Sequence, residues 1–221
     1  MAEVKKTLRL ILGDQLNHQH SWFKDDLEDV TYLFMEMRQE TDYVKHHIQK
    51  VVGFFRSMRN FASYLEERDH RVIYYKIDHE DNTQDLVKNI KKLNDKYDFE
   101  SFQYQLPDEY RLDEQLKNLC ENLEIETNNF DTEHFFTTRS DLERFYEGKK
   151  QMTMEYFYRD MRKKNNILMI NAKDPEGGKW NFDKSNRQKW KGKPEIPHER
   201  GFRKDVSHLV DEIKNAGVET F

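Results

Sequence analysis

TLRLILGDQLN, residues 7–17, is an apolar run that is cut off by Gly13-Asp14-Gln15. Leu8, Leu10, Ile11 and Leu12 follow one another closely around Arg9, as in a strand buried on both faces. A short run closed by glycine suits a strand better than a helix. The run is therefore predicted to be the central strand of a parallel sheet. Open α/β sheets bind ligands outside the carboxyl ends of their strands, so the turn carrying Asp14 and Gln15 is the first place to look for a site.

Outward from this strand the chain alternates. Val30–Glu36 (VTYLFME), Arg71–Ile77 (RVIYYKI), Glu100–Leu106 (ESFQYQL) and a short Glu124–Thr127 read as strands. From Thr41 the period changes: Val44, Ile48, Val51, Phe55, Met58, Ala62 and Leu65 form one stripe of a long helix, for which Thr41 is the predicted N-cap. Leu86, Ile90 and Leu93 mark a second helix, and Leu112, Leu116, Leu119 and Leu123 a third. This order implies an α/β, doubly wound, five-stranded, mostly parallel Rossmann-like sheet. Beyond it, Ser140-Asp141-Leu142-Glu143 reads as a capping box and MTMEYFYRDMRKK (152–164) as a helix. The rest is an extended basic linker and one more helix through Phe202, Val206, Leu209, Val210 and Ile213, with no evident partner. The expected division is an α/β domain over 1–150, then helix, linker and the start of a further domain over 151–221.

The 221 residues carry a net charge of −5, unevenly spread. Lys149–Lys204 holds 16 basic and 7 acidic side chains, net +9, and Asp205–Phe221 is net −3, which leaves −11 for the remainder. An acidic body thus carries a basic segment, suited to phosphate or to docking on the body itself. One cysteine, Cys120, excludes an internal disulfide framework and an all-cysteine metal cluster within this chain. No apolar run has the length of a membrane span and no signal-peptide pattern is present, so the expectation is a cytoplasmic protein without membrane contact.

Neither G-x-G-x-x-G nor G-x-x-x-x-G-K-[ST] occurs, so neither glycine-rich phosphate cradle is available. The strand ends offer carboxylate and amide instead: Asp14 and Gln15 after the first, Glu36 and Glu40 after the second, Asp108 and Glu109 after the fourth. Such a mouth repels phosphate and suits a neutral, hydroxyl-bearing or amide-bearing ligand. The plainer alternative has Asp14 and Asp108 as turn formers and Glu40 as a solvated side chain. On a helical wheel Tyr43, His47 and Lys50 flank the apolar stripe, and His46 points away from it. Adjacent histidines do not share a face, so His46-His47 is a poor metal pair.

LILGDQL (10–16), TDYVKHHIQK (41–50), FFRSMRNFA (54–62), MTMEYFYRDMRKK (152–164) and GGKWNFDKSNR (177–187) together resemble the amino-terminal part of the bacterial deoxyribodipyrimidine photolyase-related proteins. These are the iron-sulfur branch of the photolyase/cryptochrome family. The resemblance implies the antenna domain of a light-dependent flavoprotein of DNA repair or light sensing. FAD, a [4Fe-4S] cluster and the DNA lesion site are expected only in a carboxy-terminal helical domain, of which this chain would be the partner. It also implies an antenna chromophore, 6,7-dimethyl-8-ribityllumazine, in a pocket to which Asp14, Gln15, Glu40, Tyr43, His46, Asp108 and Glu109 correspond. Tyr110 and Leu106 depart from the family pattern, which has tryptophan and an acidic residue there. On this reading the chain is a fragment without lyase activity of its own. The alternatives are a Rossmann-like nucleotide- or sugar-binding enzyme, or a scaffold with a vestigial pocket that docks a helical domain or DNA.

Overall fold

The structure, a computed structural model, describes residues 6–24 and 29–221; the charged lead at residues 1–5 lies outside them. In chain order it contains β1 (Thr7–Leu10), β2 (Val30–Met35), α1 (Gln39–Asp42), α2 (Ile48–Glu66), β3 (Arg71–Tyr75), α3 (Leu86–Tyr97), β4 (Ser101–Gln105), α4 (Tyr110–Glu121), β5 (Glu126–Phe130), α5 (Asp141–Tyr146), α6 (Met154–Lys164), α7 (Asp183–Asn186) and α8 (Ser207–Asn215). The sheet is parallel throughout, in the order β3-β2-β1-β4-β5, with β1 at its centre. This is the expected doubly wound arrangement.

Period-two alternation divides the core into two layers. Tyr32 and Phe34 of β2 join the buried face of α2 (Val51, Phe55, Met58, Leu65) on one side of the sheet. Leu33 and Met35, with Leu8 and Leu10 of β1, meet α3 and α4 through Leu86, Ile90, Leu93, Leu116 and Leu119 on the other. Both faces of β1 are therefore covered, as its unbroken apolar run predicted. Arg9 is buried as well, and its guanidinium donates to Gln103 Oε1 (2.9 Å) and the Trp22 carbonyl (3.2 Å) while lying 4.8 Å from the Trp22 ring centroid.

Several local expectations are corrected. The stripe from Val44 to Leu65 is not one helix. Thr41 spends its hydroxyl on the Arg38 carbonyl and on Asp42 inside the single-turn α1. Residues 43–47 belong to neither helix, and α2 starts after His47, whose extended backbone (φ −67°, ψ 137°) and Nδ1, accepting from the Gln49 N–H at 3.1 Å, form the cap. The fifth strand lies two to three residues later than predicted. Ser140 makes no capping hydrogen bond; instead Asp141 accepts from the Thr138 N–H and hydroxyl.

The described chain forms two compact units, residues 1–134 with 204–221, and residues 135–203. They differ from the expected division at 150. The last helix, read from sequence as the start of a further domain, belongs to the α/β unit: Leu209, Ile213 and Val218 are buried in the core layer of α2. In the second unit, α5 and α6 pack through Phe145, Tyr146 and Phe157, and residues 188–203 are exposed and lack helix or strand. Among the described residues no helix is long and apolar enough to cross a membrane.

Candidate functional site

Where the chain leaves β1 and β2 at the centre of the sheet, a cavity of about 240 Å3 opens. Its floor comes from Leu10, Ile11, Leu12, Met35 and Met37, and one wall from Val51, Phe54, Phe55 and Met58 of α2. Gly13 admits this wall closely, since a Cβ there would stand 3.1 Å from both Met58 Sδ and Phe54 Cδ1. Thioether and phenyl groups of Met35, Met37, Met58, Phe54 and Phe55 make this part of the cavity polarisable and apolar. The volume is below the roughly 300–1,000 Å3 of sites that enclose a whole drug-sized ligand. Gly13, Asp14, Lys50 and Phe54 also border an open shelf whose polar groups include Asn17, Gln49 and Ser57, onto which a longer ligand would extend.

Of the seven residues singled out from sequence, Asp14, Glu40, Tyr43, His46 and Glu109 line the cavity; Gln15 and Asp108 do not. Gln15 is 1% exposed and acts as a stitch: its Nε2 donates to the Gln105 carbonyl at the end of β4 (3.1 Å), and its Oε1 accepts from the Leu12 N–H (3.0 Å). Replacing it by alanine is expected to cost about 1 kcal/mol for each bond lost, seen as a lowered urea midpoint. Asp108 is held by His134 (2.9 Å) beyond the cavity wall. Glu36, named with Glu40 as a strand-end carboxylate, is fully buried away from the mouth, where Arg59, Tyr74 and the Ile77 N–H bond it.

The mouth is less acidic than the sequence suggested, because Arg111 at the start of α4 pairs with its carboxylates. Its Nη2 reaches both oxygens of Glu40 (3.2 and 3.3 Å), its guanidinium lies 5.1 Å from the Tyr43 ring centroid, and it also pairs with Glu109 at 3.4 Å. Glu109 in turn caps α4, accepting from the N–H groups of Arg111 and Leu112. Asp14 is the exception among the carboxylates. Burial of its carboxyl pushes its pKa upward, and the nearby Asp108 charge adds to this; a hydrogen bond to its own N–H and the neighbouring His134 pull the other way without cancelling the rise. Protonation therefore comes more easily to Asp14 than to an ordinary carboxylate.

His46 supplies the most specific chemistry. It sits in the stretch between α1 and α2, so the helical wheel that turned it away does not apply, and it lines the cavity while His47 caps α2. Lys50 Nζ stands 3.2 Å from His46 Nδ1. An ammonium has only donors, so Nδ1 must accept, and the neutral ring then carries its proton on Nε2. That Nε2 is buried and has no hydrogen-bond partner. His46 thus brings a buried, unmatched N–H donor to the cavity wall, and the Tyr43 ring packs edge-on against the imidazole at 5.2 Å. The helical wheel favoured His47 and the resemblance His46; the break in the helix is what brings His46 to the cavity. Among the described residues no group of three or more His, Cys, Asp or Glu is arranged to hold a metal ion.

A family model described as "Deoxyribodipyrimidine photo-lyase-related protein" matches residues 9–221. A (6-4) photolyase from Agrobacterium fabrum is 34% identical over 182 residues, which cover 82% of this chain and 36% of that protein. An uncharacterized protein of Acanthamoeba polyphaga mimivirus is 26% identical over 150 residues, covering 66% of this chain and 74% of the viral protein. The chain therefore spans about a third of the length of the photolyase it matches.

Proposed function

Because the chain belongs to the deoxyribodipyrimidine photo-lyase-related family, we propose that its α/β unit is a light-harvesting domain whose cavity binds an antenna chromophore noncovalently, with 6,7-dimethyl-8-ribityllumazine as the ligand. The observation that carries this reading is the buried, unpartnered His46 Nε2–H in the wall of a cavity whose floor and α2 side are apolar. A buried donor without an acceptor is costly, and a ring carbonyl or ring nitrogen on the ligand would satisfy it.

The residues present fit such a group. The slot accepts a flat ring between Met35, Met58 and Phe54, and the adjoining shelf gives a hydroxylated tail Asp14, Asn17, Gln49 and Ser57 as partners. When bound, the chromophore would absorb light and pass the excitation on. The protein's own part is to orient the ring, exclude water from the slot and keep the tail solvated. Glu40 and Arg111 neutralise each other at the rim, so the site carries no strong field toward an anionic ligand. FAD, the [4Fe-4S] cluster, DNA contact and lesion repair belong, in this proposal, to a helical domain that works with this unit.

Titrating the chain with 6,7-dimethyl-8-ribityllumazine tests the reading. Saturable binding with a changed absorption or fluorescence spectrum is the expected result. Free-ligand spectra at every protein concentration would overturn it.

A further inference from the structure

The cavity rim is built from a stretch of chain that has little regular structure of its own. Between α1 and α2, residues 43–47 carry Tyr43 and His46, yet Tyr43 and Val44 are largely exposed and contribute little core to hold the stretch in place. What holds it comes from residues 216–221, far away in sequence. The Phe221 N–H donates to the His46 carbonyl (3.1 Å) and the Ile48 N–H to the Phe221 carbonyl (3.4 Å), so that Thr220 forms a parallel bridge with His46.

Arg38, at the other end of the rim, closes the same link. Its Nη1 donates to the Ala216 carbonyl (2.9 Å) and its Nη2 to the Gly217 carbonyl (3.0 Å), while Nε holds Asp42 (2.7 Å). Gly217 is at φ +74°, and a Cβ there would stand 3.2 Å from Arg38 Nη1, so both the turn and the approach of the guanidinium favour glycine. The segment is itself anchored: Leu209, Ile213 and Val218 lie in the core with α2, and Glu212 pairs with Arg59 (2.5 Å) and Lys76 (3.3 Å).

From this geometry we infer that residues 204–221 form a strap that positions the chromophore-facing residues Tyr43 and His46, with Arg38 and Gly217 as its positioning residues. The inference rests on the chromophore reading above and adds to it a set of residues outside the cavity wall that set its affinity. Arg38 touches no part of the slot, so its effect must travel through the rim. Ligand and strap order the same stretch, which makes them mutually reinforcing.

The test uses the full chain with Arg38→Ala and, approaching from the other side, Gly217→Val. Three readouts are taken: amide exchange at Phe221 and Ile48, the 15N spectrum of the His46 imidazole, and the dissociation constant for 6,7-dimethyl-8-ribityllumazine. The expected result is faster exchange at those two amides with β1 amides unchanged, a mixed His46 tautomer, and about fivefold weaker binding. Unchanged exchange and imidazole spectra in both variants would overturn the strap, as would loosened exchange with wild-type affinity. Absence of lumazine binding by the wild-type chain would instead sink the chromophore reading, and the strap would then stand or fall on exchange and the imidazole spectrum.

Discussion

Glu36→Leu is expected to destabilise the α/β unit by about 3–5 kcal/mol, the scale of a buried charge pair broken on one side. Glu36 has no exposed surface, and its two oxygens accept from Arg59 Nε (2.7 Å) and Nη2 (2.9 Å), the Tyr74 hydroxyl (2.7 Å) and the Ile77 N–H (2.9 Å). Leucine would leave a guanidinium, a hydroxyl and an amide without their acceptor at once. Arg59 keeps one partner, Glu212, which places the loss toward the lower end of that range. The neighbouring groups respond to the same carboxylate. Burial and the Glu36 charge both raise the Tyr74 pKa well above its usual value. Burial works against the Arg59 charge, but Glu36 and Glu212 more than offset it. Urea unfolding followed by near-ultraviolet circular dichroism measures the loss. Glu36→Gln, which keeps one acceptor oxygen, should fall between wild type and leucine. A change below about 1 kcal/mol in the leucine variant would mean that the network contributes little beyond its own desolvation cost.

His46→Leu is expected to weaken lumazine binding by about 1–3 kcal/mol, roughly 5- to 150-fold, without a comparable loss of stability. The asymmetry follows from the free protein. Nε2 has no partner there, so removing it breaks no hydrogen bond in the fold; the exposed Lys50 loses its contact with Nδ1 and the exposed Tyr43 ring its edge-on neighbour. In the complex the same substitution deprives a ligand acceptor of its donor inside a dry slot, where an unmet polar group is costly. Fluorescence titration of the variant checks this. Wild-type affinity would show that the imidazole does not face the ligand.

The central strand was legible because burial on both faces leaves a simple trace: an apolar run with no alternation, stopped by glycine. The regular alternation of strands and helices around it gave the doubly wound class, while the order β3-β2-β1-β4-β5 is supplied by the structure. Other features were hidden for identifiable reasons. Thr41-Asp42 has the composition of a helix start, but the actual cap is a histidine, a residue type outside the usual set, and the break at 43–47 depends on pairing with Thr220, 174 positions away. Glu36 and Glu40 look alike in the sequence, each a carboxylate after an apolar strand. Burial separates them, because partners for Glu36 arrive from α2, from β3 and from the residues after it. Gln15 belonged to the right turn but faces β4, and Arg111 appeared as one more charge at a helix start. The sequence thus pointed to the strand ends at which the cavity opens. The division of labour between cavity and scaffold needed side-chain directions that no spacing rule encodes.

The strap has a consequence for tolerance to mutation. The atoms it offers to the rim are main-chain ones: the carbonyls of Ala216, Gly217 and Phe221 and the N–H of Phe221. Side chains at 216, 219, 220 and 221 can therefore drift without changing the link, whereas Gly217 is pinned by its backbone and Arg38 by its two-pronged donation. A saturation scan across 216–221 should show two intolerant positions, Gly217 for its backbone and Val218 for its place in the core, in an otherwise permissive stretch. Two variants of this fold could thus share the same rim geometry while agreeing at almost none of the residues that enforce it.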